Sequence, residues 1–101
     1  MPINRYQTVE YTYNDRNLRK HKVIRLDIVE LLALENSTTR DFDMPLAAND
    51  NLRIMFVGYN SVSRLLETGV EFISENKAHV FHGQTVSPRY RKLYEERIKN
   101  E

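Results

Sequence analysis

The chain has 101 residues, no cysteine and a formal net charge of +1. That length points to one domain, and the missing cysteines exclude disulfides and thiolate metal sites. A hydrophobic share of 41% supports a packed core, while no apolar run approaches the roughly 20 residues a bilayer crossing requires, so no membrane partner is expected.

The N-terminus, MPINRYQTVE, has no signal-peptide apolar region, and a cytoplasmic location is expected. In QTVEYTY (residues 7–13), Val9, Tyr11 and Tyr13 alternate with Thr8, Glu10 and Thr12, the pattern of a strand. Asn14–Asn17 is turn chemistry, and Leu18–Leu26 reads as a return strand that closes a hairpin. Asp27, with Glu30 three residues on, has the spacing of a capping box, so a short helix is expected over Asp27–Asn36. Ile24, Leu26 and Ile28 alternate as well, which leaves a continued strand as the rival for residues 23–35.

Ser37–Asn51 has no period and reads as a loop, with Phe42 and Met44 as core anchors and Asp41 and Asp43 turned to water. Leu52–Val57 is a short buried strand that Gly58 should break. Ser61 should cap a helix through Thr68, closed by Gly69. Val70–Ile73 and Ala78–His82 flank a turn and form a second hairpin. Ser87 and Pro88 then start a final helix with Tyr90, Leu93, Tyr94 and Ile98 on one stripe. Leu65, Phe81 and Leu93 are expected in the core. The order ββα, loop, βαββα implies an α+β fold, a mainly antiparallel sheet with two to three helices packed on it.

Charge is uneven along this order. Residues 1–26 carry six basic and two acidic groups, residues 27–76 three and nine, and residues 77–101 six and three. Basic ends raise the prospect of an anionic partner. Two stretches carry it. In HVFHGQTVSPRYRK, a glycine turn leads into a helix N-terminus, where free N–H groups attract anions. Gly83, Thr85, Ser87, Arg89, Arg91 and Lys92 are its candidate ligands. The second stretch is the basic run Arg16, Arg19, Lys20, His21, Lys22 and Arg25, close to Tyr11 and Tyr13. Cations hold phosphates and aromatic rings stack on bases.

Other chemistry is thin. His79 and His82 lie three apart on a strand, which puts them on opposite faces, so no metal is expected. No serine-hydrolase, zincin, Walker or dinucleotide motif is present, and Ser61 and Ser87 are explained as caps. The reading is therefore a small non-enzymatic protein without a cofactor that binds a nucleotide-like molecule or a nucleic-acid backbone. Complementary charge blocks also suggest a homo-oligomer. The alternative is an interaction module or inhibitor that sets its acidic middle, Asp41 to Asp50, against a basic host protein. A second alternative is a small hydrolase using Asp41, Asp43 and a histidine. The compact, tyrosine-rich, motif-poor texture is similar in style to small accessory proteins of bacteriophages.

Overall fold

The computed structural model describes residues 9–101; Gln7 and Thr8, the first residues of the expected N-terminal strand, lie outside them. The elements are β1 (Glu10–Tyr13), α1 (Asp15–Lys20), α2 (Arg25–Leu32), β2 (Arg40–Asp43), β3 (Leu52–Tyr59), β4 (Leu65–Ser74), β5 (Lys77–Thr85) and α3 (Pro88–Lys99). The strands form one sheet in the order β1-β5-β4-β3-β2, antiparallel except for the β1–β5 pair. This is the expected α+β class: a mainly antiparallel sheet with three helices.

Helices cover both faces. On one, Leu18, Val23, Ile28 and Leu31 from α1, α2 and the link between them pack on Ile54, Phe56, Leu66, Val70 and Val80. Tyr11 and Tyr13 complete this layer. On the other face, α3 lays Tyr94 and Tyr90 over Met55, Val57 and Leu65, with Phe42 and Met44 alongside. Leu65 is buried as expected and Phe81 half-buried, but Leu93 sits at the solvent edge with 36% of its surface exposed.

Several local expectations are corrected. Leu18–Leu26 is no return strand: Asn14 caps α1 by accepting from the Asn17 N–H at 3.1 Å, Asp15 sits in the first turn, and Arg19 and Lys20 sit in the last. Cap, acid and base each favour the helix dipole. The partner of β1 is instead β5, in parallel. Residues 25–32 are helix, although Asp27 lies inside the first turn, where it accepts from the Ile24 N–H at 3.0 Å. The stretch expected as a loop contains β2. Gly58 continues β3, and residues 65–69 are strand rather than helix. Between β3 and β4, Asn60 accepts from the Val62 and Arg64 N–H groups and closes the hairpin.

Candidate functional site

β4 and β5 register Val70 against Val80 but Gly69 against His82, so Phe81 is an extra residue, a β-bulge. The bulge re-aims the end of β5. His79, opposite Glu71, and His82, opposite Gly69, fall on the same face, the one that α3 covers in part. The expectation of opposite faces is thereby corrected. The two rings nonetheless go to different partners: His79 Nδ1 meets Thr12 Oγ1 at 2.7 Å, and His82 Nε2 meets Glu67 Oε2 at 3.0 Å. No cluster of metal-ligating side chains occurs among the described residues.

Glu67 anchors this region. It is 3% exposed, and its other oxygen accepts from the Ser87 N–H at 2.6 Å. Burial pushes its carboxyl pKa up, but the bonds from His82 and Ser87 outweigh that and hold it below the usual value. The second imidazole arrives from α1. His21, the residue that ends that helix, places its ring edge-on to His82 with centroids 5.8 Å apart. Arg64 fixes that approach. Its guanidinium donates to the His21 and Lys22 carbonyls and, at 2.7 Å, to Thr85 Oγ1. Asn17 adds a bond from the Gly83 N–H to its side-chain oxygen at 3.0 Å.

The two basic stretches of the sequence are thus joined. The end of α1 and the start of α3 are linked through His21, His82, Glu67 and Ser87. Arg16, Arg19, Lys20 and Lys22 on one side are exposed and form no ion pair among the described residues; the same holds for Arg89, Arg91 and Lys92 on the other. By contrast, Arg25 is bound to Asp15 and lies over the Tyr13 ring at 4.7 Å.

The remaining candidates are placed as follows. Ser87 caps α3: its hydroxyl accepts from the Tyr90 N–H and its carbonyl from the Arg91 N–H. The helix start therefore satisfies much of itself, and side chains rather than backbone are what it offers an anion. Gly83 faces the core, where an added Cβ would lie 2.7 Å from Leu18 Cδ2. Tyr11 and Tyr13 line the opposite face of the sheet from His82, against α2. Asp41 and Asp43 are exposed on β2, at the sheet edge away from β5. Sequence reasoning missed Glu67, Asn17 and Arg64; the one available signal was a carboxylate inside the apolar run LLETGV.

No family model and no curated protein matches this chain, so its chemistry is read from its own geometry.

Proposed function

We propose that the protein binds the phosphate backbone of a nucleic acid across the surface where α1 ends and α3 begins. The observation that carries this reading is the edge-on contact of His21 and His82: it sets the end of α1, with the exposed Arg19, Lys20 and Lys22, beside the strand that leads into α3, with the exposed Arg89 and Arg91. Phosphodiesters are held by such groups: exposed cations supply the field, and an imidazole N–H donates a hydrogen bond. Arg19, Lys20, Lys22, Arg89 and Arg91 are the expected contacts, with the rigid His82–Glu67 pair between them. Arg25, Tyr11, Tyr13 and Gly83 stay outside this set because their groups are already engaged in the fold.

The test is binding of short oligonucleotides as a function of salt. Each phosphate contact on a single strand contributes about −0.7 to the slope of log K against log salt. Replacing Arg19, Lys20, Lys22 and Arg89 by glutamine should flatten the slope by up to about 3. Absence of binding at low salt would refute the reading.

One observation favours a second reading. An imidazole held by a buried carboxylate, with another imidazole beside it, is equipped for general acid–base work on a phosphodiester. This moves the hydrolase alternative from Asp41 and Asp43 to Glu67, His82 and His21. Labelled RNA and DNA incubated with the parent and with His82→Ala decide the matter. Cleavage by the parent that is lost in the variant supports it; no cleavage leaves binding alone.

A further inference from the structure

We infer that the groove between α3 and the end of β3 binds an unstacked base of a single-stranded nucleic acid, with Tyr59 as the stacking platform. The inference rests on the phosphate-binding reading above and names the form of nucleic acid that the surface accepts. The groove encloses about 560 Å³, and Thr38, Tyr59, Leu65, Arg91, Tyr94 and Lys99 are among its walls. That volume is in the range of sites that take small molecules.

Tyr59 is 39% exposed, yet its backbone is fixed. Its N–H donates to Thr38 Oγ1 and its carbonyl accepts from the Asn36 side chain, both at 2.9 Å. Its ring meets Tyr94 edge-on at 6.3 Å. The Tyr94 hydroxyl is committed to the Thr38 carbonyl at 2.7 Å, so the inner wall is rigid. A partly exposed ring on a rigid wall can stack a base with little ordering of its own.

Charge gives the direction of the strand. Arg40 also lines the groove, but Glu101 holds its guanidinium through two bonds of 2.7 Å. Among the described residues, Arg91 and Lys99 are the lining cations left for phosphates, against one lining acid, Glu95. The Arg91 N–H is bonded to the Ser87 carbonyl, so Arg91 lies one turn from the cap that touches Glu67. A strand whose backbone crosses His82 and Arg89 therefore reaches this groove by following α3. A duplex cannot, because its bases are stacked and paired.

Fluorescence anisotropy with a short single strand and with the same sequence as a duplex tests the inference. Tyr59→Ala should weaken single-strand binding about tenfold, the loss of one stacked base, and leave duplex binding unchanged. Tyr59→Phe should bind as the parent does. If Tyr59→Ala fails to fold, Tyr59→Leu keeps apolar bulk and carries the same expectation. Equal single-strand affinity in the variant and the parent overturns this inference and leaves the phosphate reading standing. A parent that binds neither nucleic acid overturns both.

Discussion

Glu67 is the residue on which the site turns. Its carboxylate is buried in the sheet, and the two atoms it holds belong to β5 and to the start of α3. Its pKa lies below the ordinary value, so the folded state takes up its proton less readily than the unfolded chain does. The stabilisation is therefore complete above the unfolded value, about 4.3, and is lost as the pH falls through the folded one. Melting temperatures should fall more steeply in acid for the parent than for Glu67→Gln, which keeps an acceptor for Ser87 but does not titrate. Parallel curves would show that the carboxylate charge is not what holds α3. Ser87 and Arg89 separate two roles at the same place. Ser87→Ala removes the cap and should cost about 1 kcal/mol in a denaturant titration. Arg89→Ala should leave stability nearly unchanged, because Arg89 is exposed, has no ion pair among the described residues and touches only the Tyr90 ring, at 5.6 Å, and should weaken oligonucleotide binding. A variant that binds as the parent does would return Arg89 to the role of a solvated side chain.

At the scale of elements, the site depends on how closely α1 approaches β5. Gly83 permits that approach, since a methyl group there meets Leu18 Cδ2 at 2.7 Å and Ile28 Cδ1 at 3.2 Å. Gly83→Ala should destabilise the fold by about 1–3 kcal/mol through overpacking. It should also separate His21 from His82, which a loss of contacts between their rings in nuclear magnetic resonance would report. Unchanged ring contacts would mean that α1 is held by Arg64 and Asn17 alone. The elements differed in how legible they were. Ser87-Pro88 marked α3 unambiguously because a cap and a first-turn proline point the same way. Asn14-Asp15 did not mark α1, because turns and N-caps use the same residues, and six residues are too few for a helical period. Residues 65–69 misled for another reason. Leu65 packs under α3 and Leu66 under α2, so β4 is buried on both faces and loses its alternation. The bulge at Phe81 has no sequence signature, and without it the two histidines of β5 cannot be placed on one face.

Over the whole molecule, the basic ends of the sequence are brought together by one parallel strand pair. β1 beside β5 delivers α1 to the place where β5 hands the chain to α3. The candidate ligands Arg19, Lys20, Lys22, Arg89 and Arg91 were therefore legible one by one from composition, while the approach of the two segments that carry them was not, because it depends on that pairing. The two edges of the sheet, β1 and β2, bear on assembly. Edge strands are available to a second copy, and the homo-oligomer expected from the charge blocks would use one of them. Sedimentation at micromolar concentration should then give more than the 12.0 kDa monomer, and monomer alone would count against it.

If two segments distant in the sequence form one phosphate-binding surface, the chain's three histidines report on it directly. Ring resonances followed during titration with a short single-stranded oligonucleotide should show His21 and His82 shifting together with one common midpoint. His79, bonded to Thr12 farther back on β5, should shift least. Separate midpoints for His21 and His82, or a response from His79 alone, would contradict it.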